Sequence, residues 1–345
     1  MRVGQVRMNA AAPWSVLDRR KSGTRFVSLP IRTVLNSPEQ TGMGFWSVNP
    51  YVGCEFGCSY CYARYAHQYV TERAGARGAP PLGEWSAEDF ERRIFVKAGA
   101  ADVLALTLRP ARLGGQQVAI GTATDPYQPA ERTFRITRQI LERLAQLHGL
   151  RIGLITKSPL VARDVDLLVR LAERSDVTIH LSLITVDAPL LRKLEARSPA
   201  PAARLRALEK LARAGLSAGV MIAPVLPGIT DDVPHLTALV RAAKDAGARF
   251  AGSATLRMYG GVRRRFMPVV AAHFPALLAK YERAFDGRGD LAGSYVTAFK
   301  RRLTRIRREI GIPSSPAPGR SGESAVGQSE QEALQQELAL QSLSA

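Results

Sequence analysis

Short, β-rich apolar runs alternate with longer segments of helical period from about residue 45 onward, and this rhythm constrains the fold most. Such alternation is typical of a parallel α/β sheet whose helices pack on its faces. Six βα units are recognisable. The predicted strands span residues 46–53, 117–122, 151–156, 178–183, 217–223 and 250–256. The predicted helices span residues 86–108, 130–148, 160–173, 201–214, 231–246 and 269–285.

Six units favour an open, partial (β/α)6 barrel over a closed eight-stranded barrel, and in both designs the chemistry collects on loops at the strand carboxyl ends. The chain divides into a basic N-terminal extension, a core barrel, a basic helical extension and a disordered tail, at residues 1–44, 45–260, 261–312 and 313–345. We expect the first 24 residues to be a loose arm. The tail is rich in Pro, Ser and Gly and is too polar to join a core.

A chain of 345 residues with 46% hydrophobic content can bury one sizeable core. It contains no run of about 18 uncharged apolar residues, the length that a membrane span needs. Its N-terminus also lacks the apolar stretch of a secretory signal. We therefore expect a soluble, cytoplasmic protein with no membrane partner.

The three cysteines of the chain, Cys54, Cys58 and Cys61, lie within eight residues of each other. An odd number packed this closely is a poor disulfide framework, so metal ligation is the favoured interpretation. The loop follows the first predicted strand, and its spacing lets the thiols converge on one face. A 4Fe-4S cluster normally takes four thiolates, so three would leave one iron open for chemistry.

Zinc is the alternative metal, because His67 could complete a tetrahedral Cys3His site. Zinc sites usually draw paired ligands from separate segments, whereas here every thiol lies on one loop. A packed or exposed histidine is the other interpretation of His67. The zinc hypothesis predicts a nucleic-acid-binding protein rather than an enzyme.

Polar residues lie at or just beyond the ends of three successive predicted strands. Asp125 and Lys157 come after the second and third strands, so both charges should stand at the mouth of the barrel. One positive and one negative group suit an amino-acid zwitterion. Ser182 lies near the end of the fourth strand, where an inward hydroxyl needs a partner. Alternatively, Asp125 initiates a turn before Pro126, and Lys157 is a solvated loop charge.

The cysteine loop resembles the signature of the radical S-adenosylmethionine superfamily, a Cys-x3-Cys-x2-Cys loop after the first strand of a partial barrel. Tyr60 fills the aromatic position before the third cysteine and is predicted with the cofactor-binding residues. The resemblance implies that S-adenosylmethionine chelates the open iron and is cleaved by one electron to methionine and a 5'-deoxyadenosyl radical. That radical abstracts hydrogen from a substrate. A reductant such as flavodoxin or ferredoxin is implied as a partner.

A narrower resemblance, over residues 45–260, is to the spore photoproduct lyase-like group, often labelled DNA-repair photolyase-like. It implies that Asp125, Lys157 and Ser182 contact S-adenosylmethionine. It also implies that Tyr62 lies near the substrate, in the path that returns hydrogen; a core aromatic is the alternative interpretation of Tyr62. The chain departs from true lyases at Thr122, where they carry a hydrogen-donor cysteine. The resemblance is carried by residues 58–62, 121–129, 155–158, 181–183 and 223–228.

Lysine and arginine outnumber aspartate and glutamate by 48 to 30, which gives a formal net charge of +18 at pH 7. Such a field attracts polyanions, and arginine pairs bidentately with phosphate. A helix over residues 299–310 would place its apolar residues on one stripe and its arginines on the remaining surface. A solvated basic face is the alternative. The stripe comprises Phe299, Leu303, Ile306 and Ile310. The predicted nucleic-acid surface comprises Arg263, Arg264, Arg265, Arg301, Arg305 and Arg308.

Taken together, these features predict a radical S-adenosylmethionine enzyme close to the DNA-repair, photoproduct-lyase group, acting on nucleic acid or another polyanion. A protein or small-molecule substrate is the alternative within enzymes. A zinc-stabilised nucleic-acid-binding protein is the alternative from another class.

Overall fold

A computed structural model describes residues 15–75, 89–113, 115–285, 287 and 289–316 of the chain. Within these ranges the strands β1–β11 are Val16–Arg19, Arg25–Ser28, Leu35–Asn36, Trp46–Val48, Tyr51–Val52, Arg93–Val96, Gln117–Ile120, Arg151–Thr156, Asp176–Ser182, Ser217–Val225 and Ala251–Thr255. The helices α1–α14 are Pro38–Thr41, Ala66–Gly75, Asp89–Arg92, Ala100–Thr107, Pro110–Leu113, Glu131–Phe134, Ile136–Leu144, Val165–Ala172, Ala188–Leu194, Pro201–Arg213, Val233–Asp245, Gly260–His273, Leu278–Ala284 and Gly293–Ile310. Short 3-10 helices span Tyr62–Tyr65, Pro159–Asp164 and Pro275–Leu277.

The larger sheet has seven described strands in the order β11-β10-β9-β8-β7-β4-β3. Strand β4 and strands β7 to β11 run parallel to their neighbours, and β3 is antiparallel to β4 at one edge. These parallel strands coincide with the six predicted from the apolar runs. The order ends at β3 and β11, so the described sheet does not close. The prediction of an open α/β architecture is therefore confirmed.

Helices pack their apolar stripes on this sheet. The buried face of α7 includes Ile136, Ile140, Leu141 and Leu144, which recur at the spacing of one helix face. Full burial of each such side chain contributes roughly 1.5–3 kcal/mol. The sheet and its helices thereby form one core that holds the strand ends in place.

The predicted helix at residues 86–108 is wrong in its middle. Strand β6 interrupts it, and all four residues of that strand are buried. The β-branched and aromatic run Ile94-Phe95-Val96 pairs with β2 on one side and β5 on the other. This pairing outweighs the helical periodicity of the flanking residues.

A second sheet accounts for other differences. Its described strands have the order β1-β2-β6-β5, so the predicted strand at 46–53 is divided between two sheets, β4 in one and β5 in the other. The predicted loose arm also differs, because Val16–Arg19 pairs with Arg25–Ser28 as a hairpin. Residues 1–14 of that arm lie outside the described residues.

Two predicted helices are divided. The one at 130–148 breaks between α6 and α7 at Arg135, whose φ of 53° lies in the left-handed region. The one at 269–285 begins earlier, as α12, and is divided by Pro275 before α13. The predicted disordered tail falls mostly on residues 317–345, which lie outside the described residues. The division of the chain into four segments stays a prediction.

None of the helices in the described ranges combines the length and apolar character that crossing a bilayer requires.

Candidate active site

The cysteine loop, residues 54–61, follows β5 near the carboxyl ends of the parallel strands. Cys54 and Cys58 are buried and Cys61 is partly buried, and all three thiols are free. The loop begins at Gly53, whose φ of 89° lies in the left-handed region. A methyl group there would stand 2.7 Å from His67 Nε2 and 2.8 Å from the Phe90 carbonyl oxygen. Glycine is therefore required at this position by both conformation and space.

The thiols influence one another electrostatically. Burial raises the pKa of Cys54 well above its ordinary value, and Asp125, Cys58 and Cys61 raise it further. Burial likewise raises the pKa of Cys61. Burial and neighbouring negative charges thus disfavour the thiolate forms. A metal group that binds thiolates would offset this cost, because its positive charge would take the place of the thiol protons. The donor set thus fits the 4Fe-4S cluster that the sequence resemblance implies.

Polar side chains from the loop after β7 hold the cysteine loop in place. Gln128 donates from Nε2 to the Gly53 carbonyl at 3.0 Å and accepts from the Glu55 N–H at 2.9 Å. Thr124 Oγ1 donates to the same Gly53 carbonyl at 2.6 Å. Gln128 was not singled out from the sequence, although it lies inside the segment that carries the family resemblance.

Asp125 is buried and joins the loops after β7 and β8. Its Oδ1 accepts from Thr156 Oγ1 at 2.7 Å and from the Tyr127 N–H at 2.9 Å. Its Oδ2 accepts from the Lys157 N–H at 2.7 Å. Asp125 and Lys157 therefore meet through the backbone amide of Lys157 rather than through its ammonium group.

The ammonium group of Lys157 has a different partner, Glu195. Lys157 Nζ lies 3.5 Å from Glu195 Oε1 and 5.6 Å from the centroid of the Tyr60 ring. The Tyr60 hydroxyl donates to the same carboxylate. Glu195 was missed from the sequence, because it is 135 residues from Tyr60 and belongs to no recognised motif.

The Glu195 side chain is fully buried, and both of its carboxylate oxygens have hydrogen-bonding or ionic partners. Arg204 donates to its Oε2, and Ser198 Oγ donates to the same oxygen at 2.6 Å. Burial opposes its ionisation, but Lys157 and Arg204 outweigh that effect and lower its pKa to about 2. Arg204 also donates to the Ser182 carbonyl at 2.8 Å, so the network reaches the end of β9.

Tyr62 and Thr122 are neighbours at the mouth. The Tyr62 hydroxyl donates to the Thr122 carbonyl, and Asn49 Nδ2 donates to Thr122 Oγ1 at 3.1 Å. Tyr62 is 52% exposed. Its ring stacks on Tyr65 at 6.5 Å, and Tyr65 meets Tyr69 edge-on at 5.8 Å. These three exposed rings form a tyrosine ladder that begins beside Thr122.

His67 packs between the rings of Phe90 and Phe95, with both centroid distances 5.4 Å. Burial lowers its pKa to about 4. Across the described residues, no three His, Cys, Asp or Glu side chains are gathered so that they could hold a metal ion. The contacts with Phe90 and Phe95 agree with the packed interpretation of His67.

The predicted basic residues fall on two elements. Arg263, Arg264 and Arg265 lie on α12, which packs on the cysteine loop through the rings of Phe266 and Tyr60 at 6.4 Å. The other group lies on α14, whose apolar stripe is buried at Phe299, Leu303 and Ile306. Its exposed arginines are Arg301, Arg305 and Arg308.

Related sequences are found in bacteria and archaea. An uncharacterized protein of Mycobacterium tuberculosis, Rv2578c, is 33% identical over 321 residues, which cover 92% of this chain and 88% of that protein. An uncharacterized protein of Methanocaldococcus jannaschii, MJ0683, is 28% identical over 184 residues, which cover 53% of this chain and 61% of that protein.

Solved structures of spore photoproduct lyase share the fold. The complex with dinucleoside spore photoproduct has a TM-score of 0.58 at 15% identity and covers 84% of this chain and 80% of that chain. A mutant form with bound AdoMet and the same dinucleoside has a TM-score of 0.56 at 14% identity, covering 79% and 76%. The family model of the Radical SAM superfamily matches residues 48–240, more than half of the chain. The chain therefore belongs to the Radical SAM superfamily, which implies a 4Fe-4S cluster and S-adenosylmethionine as its cofactors.

Proposed function

We propose that the protein is an enzyme that abstracts hydrogen from a nucleic-acid substrate by radical chemistry. The carrying observation is the cysteine loop, with three free thiols anchored at the mouth of an open parallel sheet. When bound, the cluster and S-adenosylmethionine supply a 5'-deoxyadenosyl radical once one electron arrives from a reductant such as flavodoxin or ferredoxin.

The residues of the chain would bind and orient these groups. Cys54, Cys58 and Cys61 would hold the cluster. The ammonium of Lys157, fixed by Glu195, is a charged donor suited to the carboxylate of S-adenosylmethionine. Asp125, Ser182 and Tyr60 complete the proposed cofactor side of the mouth.

The return of hydrogen should differ from that of a lyase that uses a cysteine thiol. All three cysteines of the chain lie on the cysteine loop, and Thr122 stands at the position where true lyases carry the donor. The aliphatic hydroxyl of Thr122 is a far poorer hydrogen-atom donor to a carbon radical than a thiol. We therefore propose that Tyr62, whose hydroxyl contacts the Thr122 backbone, lies nearest to the substrate radical.

Nucleic acid is favoured as the substrate class by the tyrosine ladder. Exposed aromatic faces stack unpaired bases, and Tyr62, Tyr65 and Tyr69 lead away from the mouth in series. The net charge of +18 adds attraction for phosphate.

The test is anaerobic reconstitution with iron and sulfide, followed by reductant and S-adenosylmethionine. We expect absorbance of a 4Fe-4S cluster and formation of 5'-deoxyadenosine in the wild type, and loss of both in Cys58→Ala. Thr304→Ala, at an exposed position of α14, is the control and should keep both. A colourless protein with bound zinc and no 5'-deoxyadenosine would refute the radical proposal.

The substrate class is tested in the same assay. Single-stranded DNA, duplex DNA, RNA and a mixed peptide library are added separately, and 5'-deoxyadenosine formed per minute is measured. Stimulation by nucleic acid alone supports the proposal. Stimulation by the peptides alone would replace it with a protein substrate.

A further inference from the structure

We propose that a basic surface beside the cysteine loop docks an acidic, one-electron carrier protein that reduces the cluster, an inference that rests on the proposed function. The surface consists of Arg64, Arg197 and Arg265 around Glu91, and we call it the arginine patch. In the reduction step the carrier loses one electron and the cluster gains it, with no bond made or broken in the chain.

The patch is built around one buried carboxylate. Arg64 donates two hydrogen bonds to Glu91, from Nη1 to Oε2 at 2.8 Å and from Nη2 to Oε1 at 3.2 Å. Arg265 Nη2 donates to the same Oε1 at 3.1 Å, and Arg197 Nη2 lies 3.8 Å from it. Three guanidinium groups thus face one carboxylate.

The outer two of these guanidinium groups are presented to solvent. The side chains of Arg197 and Arg265 are 44% and 39% exposed, whereas Arg64 and Glu91 are 10% and 2% exposed. The ion pair of Arg64 and Glu91 is therefore the buried part of the patch, and Arg197 and Arg265 form its exposed surface. A surface of this kind attracts an acidic protein and raises its association rate.

The patch contacts the cysteine loop directly. A methyl group built on Gly57 would stand 2.6 Å from Arg197 Nη2, so this guanidinium lies against the loop backbone. Arg64 Nη2 also donates to the Cys58 carbonyl at 3.4 Å. The buried side of the same loop instead reaches Glu195 through Tyr60. A carrier on the patch would therefore approach the cluster without entering the mouth.

The contacts favour a protein carrier over nucleic acid at this position. The guanidinium groups converge on a single oxygen, Glu91 Oε1, and so form a compact patch. Binding along a phosphate backbone instead uses a groove of successive positive charges. Two rings of the tyrosine ladder, Tyr62 and Tyr65, lie on the same 3-10 helix as Arg64. Both rings are exposed, whereas the Arg64 side chain turns to Glu91.

The experiment compares a protein reductant with a small one in the reconstituted full chain. Reduced flavodoxin, a small acidic carrier, and photoreduced 5-deazariboflavin, an uncharged small molecule, are mixed with the enzyme, and bleaching of the cluster is followed by stopped flow. Affinity for oxidised flavodoxin is measured separately by calorimetry. We expect the double variant Arg197→Glu, Arg265→Glu to lower the flavodoxin rate and affinity about tenfold or more at low salt. The deazariboflavin rate should be unchanged.

Two controls separate docking from net charge and from fold. The double variant Arg170→Glu, Arg213→Glu changes the charge equally on exposed arginines of α8 and α10, and it should keep the flavodoxin rate. Arg197→Lys keeps the charge and should also keep it. Equal flavodoxin rates in the patch and control variants would overturn the proposal, as would a loss shared by both reductants. Loss of oligonucleotide affinity with an unchanged flavodoxin rate would assign the patch to nucleic acid instead. A wild type that shows no cluster would refute the proposed function itself.

Discussion

At the scale of single residues, burial decides the charge state of His180. This side chain lies on β9 with its ring 4.9 Å from that of Phe250. Burial lowers its pKa to about 4. An unfolded histidine has a pKa of about 6.5, so between these two values the unfolded chain binds a proton that the folded chain does not. Stability must therefore fall as the pH falls through this window.

We expect the free energy of unfolding of the full chain to decrease by about 2 kcal/mol between pH 7.5 and pH 5 because of His180. His180→Gln should remove that part of the decrease. Urea unfolding at the two pH values, in wild type and variant, measures it. An equal pH response in both proteins would show that His180 is not the group responsible.

At the scale of elements, one buried carboxylate ties four segments together. Glu195 follows α9, Arg204 lies on α10, Lys157 follows β8 and Tyr60 lies on the cysteine loop. A buried ion pair is weak evidence for net stability, but removal of one member leaves the other charges buried and unpaired. The network therefore couples the folding of these segments to the position of the cysteine loop.

Glu195→Gln should lower the free energy of unfolding by about 3 kcal/mol, because Arg204 and Lys157 lose their shared anion. It should also lower the iron bound per chain after reconstitution. The matched control is Glu209→Gln on α10, whose partner Arg213 is exposed, with an expected change within about 0.5 kcal/mol. Equal effects of the two variants in urea unfolding would argue against the network.

At the scale of the whole molecule, the positive charge is spread over several surfaces that contact different elements. Helix α12 packs on the cysteine loop through Phe266 and Tyr60, whereas α14 packs beside α11 and is held to Asp231 by hydrogen bonds from Arg302 and Tyr295. With its apolar stripe buried, α14 presents Arg301, Arg305 and Arg308 to solvent, whereas Arg307 is partly buried and donates to Ser253 Oγ at 3.3 Å. The net charge of the whole protein does not show this difference between α12 and α14.

If α14 contributes to nucleic-acid binding, the triple variant Arg301→Gln, Arg305→Gln, Arg308→Gln should weaken binding of a single-stranded oligonucleotide. The slope of log affinity against log salt should become shallower by about 2, since each phosphate contact on a single strand contributes about 0.7. Fluorescence anisotropy over a salt series measures the slope. A triple Gln variant at Arg170, Arg192 and Arg213 is the control, and an equal change there would deny α14 a specific role.

Local patterns in the sequence were sufficient for the parallel strands and the cysteine loop. Apolar runs and helical periods repeat over a few residues, and thiol spacing is covalent, so both can be read without a fold. Strand β6 was not predicted from these patterns, because its extended conformation depends on pairing with β2 and β5. The hairpin of β1 and β2 was not predicted for the same reason.

The contacts that shape the site could not be read in this way. Glu195 and Glu91 are ordinary surface residues by pattern, yet each is buried among charges from distant parts of the chain. Residues 135 apart meet at Tyr60 and Glu195 only because α9 packs on the cysteine loop. Sequence periodicity reports how a segment folds on its neighbours. Which charges share a buried space depends on how the packed elements are arranged, and that arrangement is a property of the tertiary structure.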